Sequence, residues 1–509
     1  MDFNKESRTV NAKKNAVSAI GNKIILLILT FISRKFFIIY IGVEYLGING
    51  LFSNILTLLS MADLGLGTAM NVSLYKPISE NDTRKITALL NYFKTLYRII
   101  AIAVAVIGIS LMPFLKYLVN MDSAIPHLQL YYLVFVLKNV MSYLYIYKSS
   151  LIRADQKNYV INRVDAVVTF CKVVLQFFCV IAAKSYFLYI LLDVVGVVAH
   201  NVIVSHKADR EYSFINNDDR LTKEEQHNIF SDISSVFLYK IAWSLLNGTD
   251  NILMSVIVGT VYVGLYSNYL TITSNLEMLI TLLFTSLTAS VGNLVATSSP
   301  ENRYKTFKTM QMVSFWLCGI VCIGLLFLTQ DFIQLWLGKD FVLSNLTLVA
   351  IVLNVFFSIC MRPVWTFREG TGMYKQIRYI MFITAFLNLV FSVMLGNIMG
   401  ISGIIFATSL SKFLTYFWYE PNILFRDFFK KDSVNYYLDY FKNTILMLVV
   451  ILLCAYCMKY FSKVSVLSWI LKALICMAVV NAAYFIRYCR SAEFDNLRRK
   501  IITHTPHRH

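Results

Sequence analysis

The stretch AVSAIGNKIILLILTFISRKFFIIYI, Ala16 to Ile41, decides the class of fold. It exceeds the roughly 20 apolar residues that a spanning helix needs, yet it carries Lys23, Arg34 and Lys35. A charge at mid-membrane costs about 2.5–3.5 kcal/mol on insertion scales, so such groups normally face a bundle interior or a watery cavity. Lys23 and Arg34 are close to three whole turns apart at about 100° per residue, so they share one face, about 16 Å apart along the axis. Lys35 points roughly 100° away. Snorkelling to the headgroups is the competing reading for Lys23, which lies near the end of the run. The helix reads as the wall of a cationic cavity for an anionic passenger, with Arg34 suited to bidentate contact with phosphate.

The rest of the chain agrees with a membrane setting. Of 509 residues, 57% are hydrophobic and only 15% charged, with a mean hydropathy of +0.61. Soluble domains are nearer 45–50% apolar and about 25% charged. The polar, basic start has no short apolar core or small-residue cleavage site, so it reads as a cytoplasmic N-terminus rather than a cleaved signal. The nine cysteines are scattered. Cys454 and Cys457 form a CxxC with no second pair, inside a helical run, which favours packing over metal or redox chemistry.

Fourteen apolar helices are expected, at roughly 16–41, 46–75, 92–118, 127–151, 161–183, 186–206, 231–258, 262–297, 307–329, 341–366, 375–396, 400–420, 441–460 and 466–487. An even number puts both termini on one side. The loops on that side hold 33 Lys and Arg, whereas the opposite loops hold five: Lys116, Lys184, Lys339, Lys459 and Lys463. The basic side is cytoplasmic. This bias, with attraction to anionic lipid, accounts for most of the net charge of +18 without nucleic acid. A multi-pass protein of the cell (inner or plasma) membrane is expected, with both termini cytoplasmic.

An internal repeat runs through this pattern. With Lys23-Ile24 set on Lys240-Ile241, Gly42-x-x-Tyr45-Leu46-Gly47 falls on Gly259-x-x-Tyr262-Val263-Gly264, an offset of 217. Arg153, Tyr159 and Arg163 match Arg368, Tyr374 and Arg378 at 215. Six helices per copy make the repeats parallel, with substrate expected near the midplane between them. The expected organisation is a first lobe over 1–215, a second over 216–425, two further helices over 426–487 and a basic cytoplasmic tail over 488–509. The fold class is therefore an all-α integral membrane protein with two six-helix lobes around a central cavity.

Nine basic residues lie inside helices: Lys23, Arg34, Lys35, Arg98, Lys138, Lys172, Lys240, Lys412 and Lys472. Arg98 and Lys172 lie near the cytoplasmic ends and suit snorkelling, whereas Lys138 and Lys412 are deeper. Asp63, Asp193, Asp250 and Glu277 are the acidic groups at membrane depth. They either neutralise nearby lysines or bind a proton or cation that couples transport, which a raised carboxyl pKa would suit. Gly65 and Gly67 permit close helix packing or a hinge, and Tyr143, Tyr145 and Tyr147 suit an interfacial belt. No G-x4-G-K-[ST], H-E-x-x-H or G-x-S-x-G is present, and the outer loops are short, so neither a nucleotide-driven pump nor a soluble catalytic domain is expected.

YIGVEYLGINGLFSNILTLLSMADLGLGTAMNVSLY, from Tyr40, GTDNILMSVIVGTVYVGLYSNYLTI, from Gly248, and FREGTGMYKQIRYI, from Phe367, give the chain a resemblance to Wzx-type flippases of lipid-linked oligosaccharides. These lie within the superfamily that also holds multidrug extruders and lipid II flippases. The resemblance implies alternating access and a polyprenyl-pyrophosphate-linked oligosaccharide carried from the cytoplasmic to the outer leaflet, for O-antigen, capsule or exopolysaccharide. It implies cavity roles for Lys23, Arg34 and Lys35 and, by position, Lys138 and Lys240. Asp63, Asp250 and Glu277 are the candidates for ion coupling or charge pairing. The implied partners are the lipid-linked glycan, membrane lipids and polysaccharide polymerase machinery. No cofactor is expected beyond a proton or sodium gradient, and no enzymatic activity. The alternatives are a proton- or sodium-coupled drug extruder of the same fold, which predicts a more acidic cavity, and a membrane-embedded polymerase or ligase, which needs a large outer loop.

Overall fold

In a computed structural model, residues 27–60, 66–121, 125–226, 229, 241–246, 248–461 and 463–503 are described. Lys23, Asp63 and Lys240 lie outside them. The described residues form helices and connecting turns, with no strand among them. The helices are α1 (27–40), α2 (Val43–Leu59), α3 (Leu66–Glu80), α4 (Thr83–Ser110), α5 (Leu128–Tyr143), α6 (Ile146–Ala154), α7 (Asn158–Ala182), α8 (Tyr186–Glu211) and α9 (Asp250–Ile257). They continue with α10 (Thr260–Thr297), α11 (Pro300–Trp336), α12 (Asn345–Cys360), α13 (Arg362–Thr371), α14 (Tyr374–Met399), α15 (Ile401–Leu414) and α16 (Tyr416–Leu424). The last are α17 (Val434–Met458), α18 (Val466–Tyr488) and α19 (Ala492–Thr503).

Eight described helices are long and apolar enough to cross a bilayer, or ten if each of two bent pairs is one span. This is an all-α, multi-pass membrane protein. Several expected spans are broken. The run expected at 400–420 is interrupted at Thr415, whose φ of −124° and ψ of −101° end α15. Each piece alone is shorter than the about 20 residues that a span needs. The outer faces suit lipid. Ile445, Leu448 and Leu452 stand three and four residues apart on α17 and are exposed, a stripe on one helix face. The segment expected as a tail contains α19, whose Phe494 packs on Trp316 and Phe485.

Side-chain caps set several helix starts by satisfying amide groups that have no partner within the helix. Asp82 accepts from Lys85 N on α4, Ser185 from Leu188 N on α8, Ser344 from Thr347 N on α12 and Ser465 from Ser468 N on α18. Gly42 (φ 111°) and Gly259 (φ 135°) precede α2 and α10 in a conformation open to glycine. They are 217 residues apart, the offset of the repeat. The bent pairs recur at nearly the same spacing: α5 and α6 meet at 43°, and α12 and α13 at 42°.

The chain divides into two compact units, Met1–Gly264 and Leu265–His509. In the first, one apolar core joins α3, α4 and α6 through Met70, Leu74, Phe93, Tyr97 and Ile152. A second joins α1, α2, α5 and α8 through Phe37, Phe52, Tyr132 and Ile190. Tyr143 is buried and stacks near Tyr97, so it packs the lobe rather than joining the expected interfacial belt. In the second unit, Phe307, Phe367, Phe425, Phe429 and Tyr436 pack edge to face or tilted.

Backbones approach closely where α2 meets the start of α10. A Cβ on Gly47 would lie 2.1 Å from the Thr260 carbonyl oxygen, and one on Gly264 would lie 2.4 Å from that of Val43. The contact is reciprocal, because 43 and 47 map onto 260 and 264. Gly47→Val is therefore expected to cost at least the roughly 1–3 kcal/mol typical of overpacking. A fall in the thermal midpoint of the purified protein checks this, and an unchanged midpoint refutes the contact.

Candidate functional site

The first unit holds a charged cluster at membrane depth. Its centre is Asp193 on α8. Lys138 Nζ on α5 lies 3.1 Å from Asp193 Oδ2, and Lys172 Nζ on α7 lies 2.8 Å from Oδ1. Gln176 Nε2 donates to the same Oδ1 at 3.2 Å and to the Tyr189 carbonyl at 3.0 Å. One carboxylate on α8 thus holds a lysine from α5 and a lysine and an amide from α7.

The local sequence builds this arrangement. The pairs 172/176 and 189/193 are each four apart, so each pair lies on one helix face. The turn at 183–185 folds α7 back on α8, and both 172/193 and 176/189 are symmetric about that turn. A Cβ on Gly196 would lie 2.9 Å from Lys172 Cδ, so glycine there lets the lysine stem cross α8.

Arg34 enters from α1. Phe37 on that helix packs edge to face against Tyr189, with centroids 4.7 Å apart, and Phe36 against Phe177 at 4.8 Å. These contacts dock α1 on α7 and α8. The Tyr189 side chain lies within electrostatic reach of both Arg34 and Asp193. Lys138 and Lys172 thus share one carboxylate, a nominal excess of one positive charge, and Arg34 lies near the Tyr189 side chain beside it. The side chains keep some exposure, 36% for Lys138, 26% for Lys172 and 16% for Asp193, so the lysines remain open to a ligand.

The other candidates separate. Lys35 is exposed on α1, away from the half-buried Arg34. Asp250 lies in the first turn of α9, half-buried and beside the buried Asn251. In the second unit, Glu277 on α10 accepts from Ser358 Oγ at 3.1 Å, with Lys412 and Arg362 within electrostatic reach. Glu277 has basic neighbours, as charge pairing requires. Lys472 is paired with Asp331 at 2.6 Å, so this basic residue of the last long helix has a structural partner.

No family model matches the chain, and no curated protein matches it. Solved structures do. A lipid II flippase MurJ in an inward closed conformation superposes with a TM-score of 0.70 at 14% identity, over 93% of this chain and 98% of that chain. An inward-facing multidrug resistance MATE family transporter of the MOP superfamily gives 0.61 at 12% identity, over 79% of this chain and 97% of that one. The fold is that of MOP-superfamily transporters. A third structure, a MOP superfamily transporter from Pyrococcus furiosus described as having a binding pocket of reverse polarity, gives 0.57 at 13% identity, over 82% and 96%. These three structures are of a flippase and two transporters, not of enzymes.

The sequence sets Lys138 deep in its helix and reads Lys172 as snorkelling. The structure instead places Lys172 on Asp193. The signal was the mirrored spacing of 172, 176, 189 and 193 about the α7–α8 turn.

Proposed function

We propose that the protein is a flippase that moves a polyprenyl-pyrophosphate-linked oligosaccharide from the cytoplasmic to the outer leaflet by alternating access, supplying surface polysaccharide synthesis at the cell membrane. The observation that carries this reading is the pair Lys138 and Lys172 on the one carboxylate of Asp193, with Arg34 near the adjoining Tyr189. A pyrophosphate cannot cross hydrocarbon unaided, because burying an uncompensated charge is prohibitive. Clustered cations in a partly wet site replace its hydration, while the lipid tail stays in the bilayer. An excess of positive charge disfavours the cationic substrates of a drug extruder. Among proteins of this fold, the lipid II flippase provides a precedent for a lipid passenger, and the Pyrococcus furiosus transporter one for altered pocket polarity. On this reading, the repeats over 1–215 and 216–425 act as two lobes, Lys23 and Lys240 extend the basic lining, and Asp63, Asp250 and Glu277 are candidates for coupling to a proton or sodium gradient.

The test is reconstitution. Purified full-length protein is placed in liposomes carrying a fluorescent polyprenyl-pyrophosphate oligosaccharide, and a membrane-impermeant quencher reads its leaflet. The protein is expected to raise the rate of exchange at least about tenfold over protein-free liposomes. An equal rate under both a proton and a sodium gradient refutes the flippase reading, and export of a cationic dye instead favours the extruder.

A further inference from the structure

A second polar site lies in the Leu265–His509 unit, where the ends of α11, α17 and α18 meet α19. It is a partly open cleft with a cavity volume of about 70 Å³, bordered by Lys308 and Gln311 of α11, Asp439 of α17, Arg487 of α18 and Glu493 of α19. Gln311 is 2% exposed, yet neither its amide nitrogen nor its amide oxygen has a hydrogen-bond partner in the protein. Leaving such a group unsatisfied costs about 1–3 kcal/mol, so this amide points to a ligand. Its neighbours are already satisfied: Tyr488 OH donates to Asn443 Oδ1 at 2.7 Å, and Asn443 Nδ2 donates to the Asp439 carbonyl.

The charges select the ligand. Lys308 pairs with Asp439 and lies 3.9 Å from Glu493. One lysine thus faces two carboxylates, which leaves one negative charge there. Arg487 also borders the cleft and supplies a second positive charge, its guanidinium 5.5 Å from the Tyr488 ring. With two cations and two carboxylates the cleft is neutral overall. Exposed apolar side chains flank it, including Leu438 and Phe441 on α17 and Phe485 and Ile486 on α18. This combination suits an amphiphile with a zwitterionic head.

We propose that the cleft seats a phospholipid headgroup of the phosphoethanolamine class. The ammonium donates to Asp439 and Glu493, and the phosphate meets Arg487. Gln311 bridges them, accepting from the ammonium through its oxygen and donating to the phosphate through its nitrogen. The acyl chains lie along α17 and α18. A primary ammonium is required, since carboxylates and an amide oxygen reward N–H donors that a quaternary ammonium lacks.

The experiment exposes the full-length protein to nanodiscs of equal phosphatidylethanolamine, phosphatidylcholine and phosphatidylglycerol content and measures co-retained lipid by native mass spectrometry. Phosphatidylethanolamine is expected at least about tenfold enriched over either of the others. Gln311→Leu and Glu493→Gln are expected to abolish the enrichment. Arg487→Gln, an exposed position that leaves the fold intact, is expected to reduce it several-fold. Equal retention of the three lipids overturns the proposal. So does enrichment that persists in Gln311→Leu and Arg487→Gln, which assigns the buried amide to water. The readout is lipid retention, so its failure leaves the flippase reading standing, and failure of flipping leaves this site standing.

Discussion

Arg34→Glu is expected to abolish exchange of the pyrophosphate-linked lipid while leaving the amount of folded protein unchanged. Arg34 sits on α1 within reach of Tyr189, beside the Lys138–Asp193–Lys172 group. The reversal puts an anion where a cation stood near this group, a change of two charge units. A charge-assisted hydrogen bond is worth about 1.5–3 kcal/mol, and reversal adds repulsion to that loss. The exchange rate should therefore fall by at least about a hundredfold, since each 1.4 kcal/mol is about tenfold. Arg34→Lys keeps the charge but loses the planar fork that meets phosphate with two bonds, so a loss of roughly tenfold is expected. The half-buried Arg34 tolerates both changes better than a core position does. Leaflet exchange in liposomes, set against the protein recovered in the membrane fraction, is the measurement. Normal exchange by Arg34→Glu refutes a cationic phosphate site on α1.

The class of fold was readable because hydropathy in a bilayer is a property of single segments. Backbone groups in lipid must be satisfied within the element, which leaves helices for runs such as 434–458. Breaks within the runs were harder to read. The bend between α12 and α13 carries a signal, Pro363 in the first turn of α13, since proline restricts the residue before it. The bend between α5 and α6 carries none. Tyr145 adopts φ 71° there, a conformation that a bulky residue rarely takes, and it is held by tertiary packing of its neighbours. The site was legible in part for the same reason. Arg34 and Lys138 stand out as charges in apolar runs, but the partner of Lys138 depends on which helices pack together. Lys172 lies near the middle of α7, and one segment alone does not show whether a lysine stem reaches the headgroups or meets a carboxylate. Only the antiparallel register of α7 against α8, which sets 172 opposite 193, distinguishes them.

Glu420→Gln is expected to cause a large loss of stability in the second unit. Arg368 Nη1 on α13 lies 3.1 and 3.2 Å from the two carboxylate oxygens of Glu420 on α16. The side chains are only 8% and 2% exposed, so solvent screens the pair little. Removing one partner of such a pair leaves a buried charge uncompensated and costs about 3–5 kcal/mol, a large share of the roughly 5–15 kcal/mol by which domains are stable. The substitution keeps the shape of the side chain, so the loss reports charge rather than a cavity. Replacing both partners by apolar groups removes the uncompensated charge as well. Arg368→Met combined with Glu420→Met is therefore expected to regain most of the loss. Asp427→Asn is the contrast. Its partner Arg426 is 74% exposed, and exposed pairs are worth about 0–1 kcal/mol, so a shift within about 0.5 kcal/mol is expected. Thermal midpoints of the three purified variants decide the matter: if the double variant is no more stable than Glu420→Gln, the buried charge is not what the single substitution exposes.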